Sequence, residues 1–209
     1  IYGDCRDKLK ELEPESVQMC VTSPPYWGLR DYGHDDQLGL EETPEEYTAN
    51  MVEVFSQVKR VLRDDGTLWL NLGDSYSSGG RTTTTNQSLR GDTDYGVARP
   101  NNSKDQDNQF KGLSRERDMV SEFRNKRSVW TVNTKPYPGS HFAVFPQELI
   151  EPCIQAGSSV GDTVLDPFFG SGTTGEVAER FGRDYIGIEL NEDYKPLQQQ
   201  RCAQMGLGF

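Results

Sequence analysis

Two short stretches of this chain carry residue types able to do chemistry. The first, Val164-Leu165-Asp166-Pro167-Phe168-Phe169-Gly170-Ser171-Gly172-Thr173-Thr174-Gly175, runs from an apolar segment into a glycine-rich loop. Glycines at 170, 172 and 175 permit positive φ and leave no Cβ between the backbone and a ligand, which describes a cofactor cradle. Their G-x-G-x-x-G spacing formally matches the dinucleotide fingerprint, in which an acid about 20 residues further on holds ribose hydroxyls. Glu189, nineteen positions after Gly170 and closing the run Tyr185-Ile186-Gly187-Ile188-Glu189, meets that spacing. The second stretch is Thr22-Ser23-Pro24-Pro25-Tyr26-Trp27. Two successive prolines cannot continue a sheet interior, so the chain must leave in a stiff extended turn. That turn carries a hydroxyl, backbone carbonyls and an aromatic ring.

The elements that must position these groups follow from periodicity. Val17 to Thr22 and Val164-Leu165 read as buried strands, and Thr173 to Arg180 reads as a helix opening at the glycine loop. Open α/β sheets place ligands at the carboxyl ends of their strands, so Ser23–Trp27 and Asp166–Gly172 are expected to share one crevice. A further helix starts at Thr43, with Pro44 at its first position and Glu46 completing a capping box. Tyr47, Met51, Val54, Phe55, Val58, Val61 and Leu62 recur along it at helical spacing, and it reads as a sheet cover without a functional part. Asp64-Asp65-Gly66 then turns the chain into the strand Thr67–Leu72, which ends at Gly73-Asp74. The alternation predicts a mostly parallel α/β sheet with helices on both faces.

With both motifs in view, the chain resembles the amino-methyltransferases of DNA, which modify adenine N6 or cytosine N4. Ser23-Pro24-Pro25-Tyr26 is similar to the family's (D/N/S)-P-P-(Y/F/W) motif, and Phe168-Phe169-Gly170-Ser171-Gly172 to its F-x-G-x-G motif. The catalytic motif precedes the cofactor motif, as in the permuted beta-type group. Gly3-Asp4-Cys5 and the block from His141-Phe142-Ala143 to Pro146 also agree. The resemblance implies a Rossmann-like S-adenosylmethionine-dependent methyltransferase fold with circularly permuted motif order. It implies methyl transfer to the exocyclic amine of a base flipped out of double-stranded DNA, as in restriction-modification systems. Ser23, Pro24, Pro25 and Tyr26 would then be catalytic. The cofactor would be held by Asp4 at its adenine amine, Glu189 at its ribose and Asp166, directly or through water, at its methionine ammonium. Cys5, Phe168, Gly170, Gly172 and Thr173 would complete that site. Serine at the first motif position, followed by Pro-Pro-Tyr-Trp, implies a preference for cytosine N4 over adenine N6.

The 209 residues suffice for one domain of ordinary size. Their formal charge is −11, awkward for a DNA-binding protein, but residues 77–127 hold ten Lys or Arg against seven Asp or Glu. That polar insert is thus +3 and the remainder −14, and it is the candidate DNA-recognition loop. Arg30, Asp31 and His34 follow the catalytic turn closely, and His34 reads as surface loop. Four cysteines, at 5, 20, 153 and 202, lack metal-ligand spacing, so no metal is expected. With no signal sequence or long apolar run, a cytoplasmic protein away from membranes is expected. Relatives also carry a helix and a strand pair with a Trp-x-Lys signature before Arg127-Ser128-Val129-Trp130, and no such block is found here. A sheet shortened at one edge is therefore expected, and an exposed edge invites a homodimer or a partner subunit. The alternative reading is a noncatalytic S-adenosylmethionine- or nucleotide-binding module. An NAD-dependent oxidoreductase would explain the glycines but not the Pro-Pro-Tyr turn.

Overall fold

Thr43 accepts a hydrogen bond from the Glu46 amide at 3.2 Å and Pro44 takes the first helical position, so α2 (Pro44–Val61) begins where its capping sequence dictates. Met51, Val54, Val58 and Val61 form its buried face. The helix ends one residue before the apolar pattern does, because Leu62 is extended and opens β2 (Leu62–Leu70). The expected Asp64-Asp65-Gly66 turn is instead a bulge within β2. Between the pairs Val17–Leu62 and Met19–Thr67, β2 uses up more residues than its neighbour does. A Cβ at Gly66 would lie 2.9 Å from the Arg63 carbonyl oxygen, so the bulge needs a glycine there.

The computed structural model describes residues 1–29, 31, 33–34, 36–73, 127–133 and 145–203. Among them, β1 (Val17–Thr22), β2, β3 (Thr163–Asp166) and β4 (Asp184–Gly187) form a four-stranded sheet in the order β2-β1-β3-β4. Every pairing is parallel. The α-helices besides α2 among the described residues are α1 (Cys5–Lys8), α3 (Gln147–Gly157), α4 (Thr173–Arg180) and α5 (Lys195–Ala203). Cys20 and Leu165 pair across β1 and β3, Ile186 lies beside them, and all three pack with the buried face of α2 and with Leu9. Met19 faces the other way, its sulfur 3.1 Å from where a Cβ on Gly157 of α3 would lie. Helices thus cover both faces of a Rossmann-like parallel sheet.

The connections leave β1 toward β2 and β3 toward β4, in opposite directions across the sheet, so a crevice opens between the carboxyl ends of β1 and β3. Beyond β4, Tyr2 forms a parallel bridge with Glu189. Among the described residues no strand lies outside β2, and Leu68 and Leu70 of β2 and Leu72 just beyond it are exposed.

The chain divides into two compact units, Ile1–Ser75 with Thr131–Phe209, and Tyr76–Trp130. All elements named above belong to the first. The polar insert expected at 77–127 lies outside the described residues except for Arg127, whose carbonyl accepts from the Trp130 indole at 2.6 Å. Arg30, Asp74 and the His141–Ala143 block also lie outside the described residues.

Candidate functional site

The carboxyl ends of all four strands open onto one cavity of about 390 Å³, lined by Ser23 after β1, Asn71 after β2, Pro167–Ser171 after β3 and Ile188–Asn191 after β4. The crevice expected from the two motifs is therefore present, and both motifs face it.

The glycine loop is shaped by its backbone. Gly170 has φ +52° and Gly172 +89°, values that a side chain would strain. Gly172 caps α4 and does not itself line the cavity; a Cβ there would meet Gln198 of α5 at 3.5 Å. Its observed part is in the backbone, as the left-handed residue from which α4 starts. Gly175, the third glycine of the pattern, makes room for two rings: a Cβ there would lie 2.8 Å from Phe169 and 2.9 Å from Tyr185. These rings stack with centroids 5.5 Å apart. Phe168 and Thr173 line the cavity, and so does Ser171, which the motif reading passed over. The Ser171 hydroxyl is buried and has no hydrogen-bond partner among the described residues. A buried hydroxyl without a partner costs about 1 to 3 kcal/mol, so a polar ligand at this loop would relieve a strain already built in.

The three expected carboxylates differ. Asp166, aimed by sequence at the ligand's ammonium, is fully buried and absent from the cavity wall. It accepts from the Thr22 hydroxyl at 2.6 Å, the Thr174 hydroxyl at 2.6 Å and the Phe168 amide at 3.0 Å. It therefore ties β1, the loop and α4 together behind the site. Burial lifts its pKa above the ordinary carboxylate value despite those three bonds. Glu189 does line the cavity; it accepts from the Gly170 amide at 2.6 Å and the Asn191 amide at 2.9 Å. A carboxylate has about four acceptor sites, so acceptor capacity remains for a ligand's hydroxyls. Burial pushes its pKa up, with the backbone donors pulling it back in part. Asp4 also lines the cavity while capping α1 through the Arg6 amide and pairing with the Arg6 guanidinium. Burial raises its pKa, but the Arg6 hydrogen bonds outweigh burial and leave it below the usual range. Cys5 beside it is buried, with its thiol pushed up to about 12, so it contributes shape rather than a nucleophile.

At the Pro-Pro turn after β1, Ser23, Pro24, Pro25 and Tyr26 all face the cavity. The Ser23 hydroxyl accepts from the Asn71 side-chain amide at 3.3 Å and lies 3.4 Å from the Tyr26 hydroxyl. The Asn71 backbone amide in turn donates to the Thr22 carbonyl at 2.9 Å, fixing the two strand ends in register. Tyr47 of α2 donates its hydroxyl to the Pro25 carbonyl at 2.8 Å, so the helix read only as a cover also anchors the turn. The loop beyond the turn is closed at its base by Gly28 donating to the Gly39 carbonyl at 2.8 Å and by the Trp27 indole donating to the Glu41 carbonyl at 2.9 Å. His34 is exposed and stands at the rim.

A family model described as DNA methylase matches residues 17–96 and 93–200 of the chain. The chain belongs to this N6/N4 DNA methylase family. It is 39% identical over 257 aligned positions to the Type II methyltransferase M.Cfr9I of Citrobacter freundii, covering 95% of this chain and 85% of that protein. To M.SmaI of Serratia marcescens it is 38% identical, covering 98% and 90%. Those 257 aligned positions exceed the 209 residues of the chain, so M.Cfr9I has residues without a counterpart here. Among solved structures, it matches the DNA modification methylase TTHA0409 of Thermus thermophilus, complexed with S-adenosyl-L-methionine, with a TM-score of 0.60 and 25% identity. That match covers 100% of this chain and 95% of the other.

The methylase is S-adenosylmethionine-dependent, and the cavity fits that cofactor. Its glycine loop admits close approach of a ligand, its Ser171 hydroxyl is without a partner among the described residues, and Glu189 keeps acceptor capacity next to the loop. Among the described residues no group of His, Cys, Asp and Glu could hold a metal ion, and no helix is long and apolar enough to cross a membrane. Asn71, Tyr47 and Ser171 are the site residues that sequence spacing missed. Only Ser171 carried a signal, as a hydroxyl between two loop glycines.

Proposed function

We propose that this DNA methylase acts on cytosine N4 of a base extruded from duplex DNA. The observation that carries this reading is the hydrogen-bond state of the Ser23 hydroxyl beside the glycine loop. A hydroxyl has one donor and two acceptor sites. Ser23 accepts from Asn71 and can donate to Tyr26, which leaves one acceptor for an amine N–H. Among the described residues no donor reaches the Pro24 carbonyl, so a second acceptor stands next to it.

The chemistry asks for geometry more than for a strong base. An exocyclic amine is a weak nucleophile because its lone pair is delocalised into the ring. Bound S-adenosylmethionine supplies an electrophilic methyl group on a sulfonium. Two acceptors at Ser23 and Pro24 would hold the amine pyramidal, with its lone pair aimed toward the cofactor side of the cavity. The Tyr26 ring would stack on the extruded base, worth about 1 to 3 kcal/mol. That offsets much of the few kcal/mol spent on unstacking. Asp4, Phe168, Ser171 and Glu189 would hold the cofactor, while Asp166 and Gly172 shape its cradle from behind. The preference for cytosine rests on serine at motif position 23, whose short neutral hydroxyl differs in reach from the Asp or Asn usual for adenine, and in charge from the Asp.

Ser23→Ala and Tyr26→Ala test the turn. Calorimetric titration with S-adenosylhomocysteine should give unchanged affinity in both, while tritium transfer from labelled S-adenosylmethionine to duplex DNA falls at least a hundredfold. Equal loss of cofactor binding in folded variants would assign the turn a structural role and remove the reading.

A further inference from the structure

Residues from both ends of the chain hold the glycine loop in one orientation. Gln198 of α5 is only 8% exposed although it belongs to a polar helix near the end of the sequence. Its side-chain amide donates to the Gly170 carbonyl at 2.6 Å, and its side-chain oxygen accepts from the Tyr2 hydroxyl at 2.5 Å. Burial, then the charges of Glu189 and Glu192, raise the Tyr2 pKa, so its phenol keeps the proton it donates. Tyr2 is itself fixed by its bridge to Glu189, with Gly3 donating to the Glu189 carbonyl at 2.9 Å. The Glu189 carboxylate closes the ring by accepting from the Gly170 amide at 2.6 Å. Gly170 is thus gripped at its N–H by Glu189 and at its C=O by Gln198, in a left-handed conformation with φ +52°. A glycine in that state can flip its following peptide cheaply unless both ends are held.

The consequence concerns Ser171. A trans peptide points its C=O and N–H in opposite directions. With the Gly170 carbonyl turned onto Gln198, the Ser171 N–H emerges from the other side of the same peptide plane. Among the described residues it meets no acceptor, and neither does the Ser171 hydroxyl. We infer that Gln198, backed by Tyr2, is a positioning residue that locks the Gly170–Ser171 peptide so that the Ser171 N–H and hydroxyl are presented together to the polar part of the cofactor. This rests on the cavity being the S-adenosylmethionine site. Gln198 touches no reacting atom, so its loss should act on cofactor binding and leave the transfer step alone.

Three variants separate the two hydrogen bonds. Gln198→Leu removes both, Gln198→Glu keeps an acceptor for Tyr2 but cannot donate to Gly170, and Tyr2→Phe loosens the clasp from its outer side without touching the loop. Calorimetric titration with S-adenosylhomocysteine and steady-state methylation of duplex DNA are measured for each. For both Gln198 variants the dissociation constant and the KM for S-adenosylmethionine should rise about tenfold, the order expected for one lost hydrogen bond with its partner left unpaired. The kcat at saturating cofactor should stay within about twofold of wild type. Tyr2→Phe should shift the same constants about threefold in the same direction, and its mild change keeps the test available if the Gln198 variants do not fold. Unchanged cofactor affinity in folded Gln198→Leu, or a fall in kcat with KM unchanged, would overturn the inference. A wild-type protein that binds no S-adenosylhomocysteine would instead fail the assignment of the cavity, and the inference with it.

Discussion

Removing the Tyr47 hydroxyl isolates what a helix on the sheet face contributes to a turn built from prolines. Tyr47→Phe leaves the ring in its packed position and deletes only the 2.8 Å hydrogen bond to the Pro25 carbonyl. A net hydrogen bond is worth about 0.5 to 1.5 kcal/mol. Pro25 is half-buried, so water can re-solvate part of its carbonyl and the stability loss should sit near the lower end. In a chain of this length about 1 kcal/mol lowers Tm by about 2 to 4 °C. Catalysis should lose more than stability does. The Pro25 carbonyl is one residue from the Pro24 acceptor, and slack in the turn misplaces the amine that Ser23 and Pro24 are proposed to hold. If the whole bond energy appears in the transition state, the rate of methyl transfer falls about threefold to tenfold. Burial, then Glu41 and Tyr26, raise the Tyr47 phenol above its ordinary value of 10.0, so it remains the donor throughout a neutral assay. Tyr47 does not line the cavity, so cofactor affinity should not move. The assay is single-turnover transfer to duplex DNA at saturating S-adenosylmethionine, with calorimetric titration of S-adenosylhomocysteine alongside. An unchanged rate in a folded variant, or a rate loss explained wholly by weaker cofactor binding, would refute the anchoring role.

Two further outcomes follow from the same geometry. In Gly187→Ala the new Cβ would lie 2.3 Å from the Phe169 Cγ, an overpacking that costs about 1 to 3 kcal/mol. Displacement of Phe169 should also weaken S-adenosylhomocysteine binding, because that residue lines the cavity; thermal melts and titration of the variant check both effects. Cofactor affinity should fall as pH drops from 7 through the Glu189 pKa, which burial places above its ordinary 4.5. The sign follows from the proton: a neutral carboxyl loses acceptor strength toward the Gly170 amide and toward ligand hydroxyls. Glu189→Gln should bind weakly with a flat pH profile, and a wild-type profile as flat as the variant's would count against this role.

Sequence was most informative where structure is local. Thr43, Pro44 and Glu46 announce the start of α2, and Thr173 to Arg180 forms α4 without change, because caps and glycine turns act within a few residues. Two consecutive prolines after β1 made the exit from the sheet legible for the same reason. The direction in which a side chain acts across the fold was not legible. Asp166 lies in the cofactor motif, yet its carboxylate turns inward to Thr22 and Thr174. Tyr47 sits at a helical position that reads as packing, and only the assembled sheet brings it to Pro25. Asn71 follows the end of β2, 48 residues after Ser23, and no spacing rule links them. Helix α3 carries Pro152 inside it, against the usual pattern of a helix interior.

Nucleoside mass spectrometry of duplex DNA incubated with the purified chain and S-adenosylmethionine tests the central claim most directly. N4-methylcytosine is the product this account predicts, absent from reactions with Ser23→Ala. N6-methyladenine would contradict the base preference drawn from Ser23. An unmodified digest from protein that binds the cofactor would contradict the assignment of the Ser23-Pro24-Pro25-Tyr26 turn as a catalytic centre.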